Sequence, residues 1–242
     1  MNHSAISPFW RGHLFLFDKP KATDYTSQQG SRLLLIFFFL EGVTRPLLLV
    51  GFRRLNLLDG YWWLMPILLI FLAYLLMRTF ARIKPSQLAL SAWKCWSKTE
   101  KVYFWQIIPI TIAIFSFFNF DSLSILFHRS HLAEIFLFNL IPQLIWGFYQ
   151  EFLYRGMLQT ELVRRWGTRN GILTSNLLFT FGPLHAYHFL NASKNPSHLW
   201  IFAAIFCIGL FFAILFKRSG NLWIVGFLHG LGDLFIEGLA KI

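Results

Sequence analysis

Apolar residues run in blocks along most of the chain, and each block ends where charge, glycine or proline collects. Blocks of this length approach the ~20 residues that a helix needs to cross ~30 Å of hydrocarbon. The pattern predicts about seven membrane helices. They run from Arg32 to Phe52, Tyr61 to Phe80, Val102 to Phe120, Leu132 to about Val163, Gly171 to Phe189, His198 to Phe216 and Leu222 to Ala240. Glu41, Arg45 and Pro46 interrupt the first, which predicts a broken or tilted span in which Glu41 and Arg45 pair at i,i+4. From Ser86 to Lys101, "SQLALSAWKCWSKTEK" places Leu88, Ala92, Trp93 and Trp96 near helical spacing with lysines among the other positions. That pattern suits an amphipathic helix along the cytoplasmic headgroups, or else a solvated connector. The expected fold class is all-α, a polytopic membrane helix bundle.

Composition strengthens the membrane reading. The 242 residues are 56% hydrophobic and only 14% charged, too apolar for an ordinary soluble domain. A net charge of +11 invites a nucleic-acid partner, but its distribution gives another explanation. The tail and the loops after spans two, four and six hold Arg11, Lys19, Lys21, Arg32, Arg78, Arg82, Lys84, Lys94, Lys98, Lys101, Arg164, Arg165, Arg169, Lys217 and Arg218. The other side holds only Arg53, Arg54, Arg129, Lys194 and Lys241. This asymmetry predicts a cytoplasmic N-terminus and an outside C-terminus, and no nucleic-acid partner is expected. Short patches such as "LFLF" before Asp18, Lys19 and Pro20 do not resemble a cleavable signal peptide. Cys95 falls in a loop and Cys207 in a span, so no disulfide is expected between them.

Ionisable groups at membrane depth are expensive and mark function. Span four carries Asn139, Gln143 and Gln150 on one stripe, with Glu151 and Arg155 about 100° round from it, spaced to form a bidentate ion pair. Span five contains "FTFGPLHAYHF", where Pro183 opens the helix beside His185; His188 reads as an interfacial residue. In span seven, His229 and Asp233 share a face at i,i+4. Each set alone is compatible with helix packing. Measured from the cytoplasmic ends of their spans, however, Glu151, His185, His229 and Asp233 all lie roughly 10 to 21 Å deep at 1.5 Å per residue. Three helices bringing polar groups to one depth predict a single buried site.

These motifs resemble the CPBP family, the CAAX-protease and bacteriocin-processing intramembrane endopeptidases, also called Abi or type II CAAX protease-like proteins. The family pattern EExxxR, FxxxH and HxxxN or HxxxD reads here as "QEFLYR" from Gln150, "FGPLH" from Phe181 and "HGLGD" from His229. The resemblance covers about Leu132 to Leu239 and implies a catalytic core over 132–242; charge and hydropathy give a cytoplasmic tail over 1–31 and N-terminal spans with the interfacial helix over 32–131. The resemblance implies hydrolysis of a peptide bond in a membrane-associated protein or peptide, in contact with membrane lipid; the apolar blocks give an integral, multi-pass protein, and the compact length without a eukaryotic targeting signal points to a bacterial cytoplasmic membrane. By resemblance, Gln150 holds the general-base position and His185 is its partner in activating water. Glu151 and Arg155 form the structural pair, and His229 with Asp233 stabilises the oxyanion.

Gln150 departs from the pattern, because an amide cannot accept the proton that a glutamate would take. Three explanations stay open: a Glu→Gln substitution made to trap an inactive state, a natural variant in which Glu151 or His185 is the base, or a noncatalytic binding protein descended from proteases. A small transporter using the buried polar cluster is a further alternative. No cofactor is expected. Two histidines with carboxylates could bind zinc, but HExxH is absent, and His128 and His131 fall in an external loop, so zinc is not expected.

Overall fold

A computed structural model describes residues 24–121, 124, 132–186, 188–189 and 199–238. His128, His131, most of the expected tail and the end of the seventh span lie outside the described residues, as do Arg129 and Lys194. The structure is an all-helical bundle, with no strand among the described residues.

The first helix, α1 (Ser27–Phe39), begins at Thr26 in a capping box closed by Gln29. It continues through a π-helical turn, Leu40–Thr44, into α2 (Arg45–Arg54). The expected break is therefore absent: Ser27–Arg54 is one helical run of 28 residues. Pro46 falls in the first turn after the π turn, where the hydrogen-bond ladder is already shifted and its missing N–H matters least. Glu41 and Arg45 do pair, with Arg45 Nε 3.2 Å from the carboxylate.

A short α3 (Leu58–Tyr61) leads to α4 (Leu64–Leu76), which ends in a second π turn, Met77–Ala81. The interfacial helix expected over 86–101 is not formed. Instead, 3₁₀ turns at Pro85–Leu88 and Trp93–Cys95 precede α5 (Lys98–Phe118). Ala89, at φ 64°, stops the first turn, and Ser97 caps α5 reciprocally with Glu100, so no ladder can run through. Leu88 and Trp96 are buried in the core, while Trp93 is exposed.

The remaining chain is α6 (Leu132–Glu151), a π helix over Phe152–Gln159, α7 (Thr160–Phe181), a 3₁₀ turn at Pro183–His185, α8 (Leu199–Ser219) and α9 (Leu222–Asp233) with its π-helical end, Leu234–Gly238. Gly167, at φ 77° and ψ 170°, breaks α7 between the fourth and fifth expected spans. The fifth is interrupted at Gly182–His185, because Pro183 cannot extend the ladder and Gly182 before it is extended, and residues 186, 188 and 189 are helical again.

Ser27–Arg54, Leu64–Ala81, Glu100–Phe118 and Leu199–Ser219 are long and apolar enough to cross a membrane, and Leu222–Ile236 is a shorter apolar helix. At most a third of the residues in each of the four long apolar windows is buried inside the protein. Their remaining apolar surface, including Phe117, Phe118 and Trp200, needs lipid as its solvent. Cys95 and Cys207 are both free, as expected.

At the centre, α9 lies directly on α6. A Cβ added at Gly147 would strike the Gly230 backbone, and one at Gly230 would stand 2.5 Å from Leu144 Cα. Glycines let the two backbones touch where larger residues would hold the helices apart. Glu161 binds Arg164 and Arg165, and Arg165 Nη2 donates to Ser31 Oγ at 2.7 Å, tying α7 to α1. Gly147→Val should force α6 and α9 apart. We expect a loss of about 1–3 kcal/mol or more, read as a lower unfolding midpoint in detergent.

Candidate active site

The site begins where α6 gives way to the π helix. All eight residues from Phe152 to Gln159 are buried. The wider π turn leaves carbonyls displaced from the regular ladder, and Thr160 Oγ1 donates to one of them, Arg155 O, at 2.9 Å. Glu151 and Arg155 flank this transition, and both are fully buried.

Arg155 Nε donates to Glu151 Oε2 at 3.1 Å. The expected bidentate fork is not made. Arg155 Nη2 turns instead to the Gly209 carbonyl of α8 at 2.9 Å, and the guanidinium sits over the Phe179 ring, 4.7 Å from its centroid. The second carboxylate oxygen, Oε1, is thereby left for another helix. His229 Nδ1 of α9 lies 2.7 Å from it, which places the Nδ1 proton on that bond. One carboxylate thus bridges a cation on its own helix and an imidazole on another.

His229 is held on several sides. Phe212 stacks on its ring at 4.9 Å between centroids, and Phe179 presents an edge at 6.1 Å. Its Nε2 stands 3.6 Å from Asp233 Oδ1, an ion-pair distance rather than a hydrogen bond. The i,i+4 relation read in the sequence is therefore present.

His185 reaches the same region from the 3₁₀ turn. Its Nδ1 lies 2.7 Å from the Phe179 carbonyl, so Nδ1–H donates and Nε2 keeps its lone pair in the neutral ring. The Phe179 ring meets His185 edge to face at 5.0 Å. Phe179 is therefore the common neighbour of Arg155, His185 and His229.

Of the sequence-predicted residues, Glu151, Arg155, His229 and Asp233 form one connected set, and His185 joins it through Phe179. Gln150 is 5% exposed and next to Glu151 in the chain, but takes no part in the Glu151–Arg155–His229 contacts. Gln143, on its stripe, is also buried, and Asn139 is half-buried. His188 stacks near His185, 5.7 Å between ring centroids. Among the described residues, no group of three or more His, Cys, Asp or Glu side chains is arranged to hold a metal ion.

Sequence reasoning missed Phe179, Phe212 and Gly209. Phe179 carries no signal of its own, and the motif phenylalanine, Phe181, is 48% exposed and stacks on Phe202 instead. Gly209 did carry one: an isolated glycine within "FCIGLFF" marks a close approach. A Cβ there would strike Asn176 Oδ1 and crowd Phe179.

Arg155→Met keeps much of the volume but strands Glu151 in an apolar interior. We expect a loss of about 3–5 kcal/mol, measured as a reduced thermal midpoint. Glu151→Gln paired with Arg155→Met should recover part of it.

Residues 131–235 match the model of the Rce1-like family, described as type II CAAX prenyl endopeptidase Rce1-like. No curated protein and no solved structure shows a significant match to the chain. The matched segment contains the residues that converge on Phe179, with the motifs at 150–155, 181–185 and 229–233 in family order. Over this segment the chain is similar to the CPBP group of CAAX-protease-like membrane proteins.

Proposed function

We propose that the protein hydrolyses a peptide bond of a membrane-associated substrate at the cluster around Phe179, in water activated within the bilayer. Similarity to the family over residues 131–235 points to a membrane protease. The observation that carries the finer assignment is the 2.7 Å contact between His229 and Glu151, with His185 held against the same phenylalanine. Hydrolysis requires a base for the attacking water and donors for the developing oxyanion. His229 and Asp233 serve as the oxyanion arm, with the imidazole oriented by Glu151. Glu151 and Arg155 hold the helices.

The base is the open position. Glu151 is poorly suited, since its two oxygens are occupied by Arg155 and His229. His185 is better placed, because the Phe179 carbonyl fixes Nδ1 as donor and leaves Nε2 to accept a proton. In the chain as it stands, His185 is the base, and Gln150 orients the water through its amide. A glutamate at position 150 would supply a stronger arrangement.

Gln150→Glu should therefore cleave a membrane-anchored peptide at least ~100-fold faster, the usual contribution of a positioned base. Equal rates would remove position 150 from proton transfer. His185→Ala should abolish cleavage in either background. Binding of the peptide without cleavage by either chain would instead favour the noncatalytic scaffold, and ion flux the transporter.

An apolar cavity of about 550 Å³ runs beside α6, lined by Ile67, Phe71 and Tyr74 of α4, Phe148 and Phe152, and Trp223 of α9. It suits the hydrocarbon tail of a lipid-modified substrate, consistent with the prenyl endopeptidase description of the family. On this reading the protein sits in a bacterial cytoplasmic membrane, with residues 1–31 as a cytoplasmic tail, 32–131 as accessory spans and 132–242 as the catalytic core. Cys95 is exposed and lies on the cytoplasmic side in this orientation. A membrane-impermeant maleimide should label it in inverted vesicles and spare it in right-side-out cells.

A further inference from the structure

A second buried polar cluster stands beside the first, and the first span delivers it from outside the family-matched segment. Glu41, in the π turn Leu40–Thr44, is 1% exposed. Its carboxylate accepts a short hydrogen bond from Tyr149 Oη and another from Tyr154 Oη at 2.9 Å, and pairs with Arg45 Nε at 3.2 Å. Both tyrosines are fully buried. A carboxylate at this depth needs such partners, but helix packing alone does not need the carboxylate.

The positions of the partners suggest a more specific role. Tyr149 immediately precedes Gln150, and Tyr154 immediately precedes Arg155. The Tyr154 ring meets Phe179 edge to face at 5.2 Å, and the Phe179 carbonyl holds His185. The Glu41 π turn itself packs against the Pro183–His185 turn. Glu41 therefore bonds the segment that carries residue 150, and its own π turn packs against the turn that carries His185. Both helical partners are irregular here: the π turn of the first span lies against one side of a region whose other side is the π helix Phe152–Gln159. Extra residues per turn rotate the side chains that follow, and a side chain anchored at both tyrosines fixes that rotation.

We propose that Glu41 is a positioning residue of the site: its bonds to Tyr149 and Tyr154 set the rotation of the α6–π segment and seat the His185 turn against it. The assignment rests on the protease function proposed above. It also makes the N-terminal spans part of the catalytic apparatus rather than a passive anchor.

The test uses the full-length chain in detergent micelles, with Glu41→Gln and Tyr154→Phe compared in the native and Gln150→Glu backgrounds. Three quantities are read: kcat and KM on a membrane-anchored peptide, the imidazole nitrogen resonances of His185 and His229 by NMR, and the unfolding midpoint. We expect kcat to fall at least ~10-fold with KM within about twofold, as for a group acting on the reacting geometry. The His185 signals should shift, whereas those of His229, held by Glu151, should move little. Glu41→Asp should regain part of the rate. A lowered unfolding midpoint with unchanged His185 signals, or an unchanged kcat in a chain that cleaves, overturns the proposal. If no background cleaves any peptide, the protease function fails and the His185 signals alone decide the role of Glu41. If Glu41→Gln does not fold, Tyr154→Phe decides by the same measurements, since Tyr149 and Arg45 still hold the carboxylate.

Discussion

One carboxylate shared between a guanidinium and an imidazole governs this structure. Glu151 lies where neither water nor lipid can solvate it, and its two oxygens are divided between Arg155 and His229. In such surroundings a charge must be fully partnered or the fold loses several kcal/mol. The partners come from different helices, and Arg155 recruits a third through the Gly209 carbonyl. Helix packing and site geometry are therefore the same interaction, and disturbing either disturbs the other. This is why the ion pair is less symmetrical than a surface Glu–Arg pair: half of the carboxylate is reserved for His229.

The irregular helical segments follow from the same constraint. A regular α-helix satisfies its backbone but fixes side chains at 100° steps, whereas a π turn changes the step and displaces a carbonyl. The chain uses π turns at Leu40–Thr44 and Phe152–Gln159, where Glu41, Tyr154 and Arg155 must meet partners on other helices. Thr44 and Thr160 follow or close these turns, and each hydroxyl donates to a carbonyl five residues back. Backbone irregularity inside a membrane is tolerated where protein surrounds it, as at the wholly buried Phe152–Gln159, whereas at the half-exposed Leu40–Thr44 the Thr44 hydroxyl takes up the Phe39 carbonyl.

Much of this was legible from residue order because lipid leaves few choices. Long apolar blocks became helices, and Glu41 with Arg45, Glu151 with Arg155, and His229 with Asp233 all pair at i,i+4 as spacing alone requires. The convergence of polar groups at one depth likewise followed from counting residues. Contacts between helices were less accessible. Nothing in the order of residues says that Glu151 divides itself between two partners, that Phe179 rather than Phe181 faces the site, or that Glu41 takes two tyrosine hydroxyls. The segment 86–101 misled for another reason: its apolar positions have helical spacing, but Leu88 and Trp96 reach the core from 3₁₀ turns, and local caps overrode the period.

The glycine seam between Gly147 and Gly230 has a mechanical consequence. With main chain resting on main chain at this level, no side chains there can rearrange to absorb a wedge. Nearer the start of α9 the same two helices meet through the stacked rings of Phe148 and Trp223 instead. A bulky guest would meet less resistance there, where side chains fill the gap and can swing aside, than at the glycines.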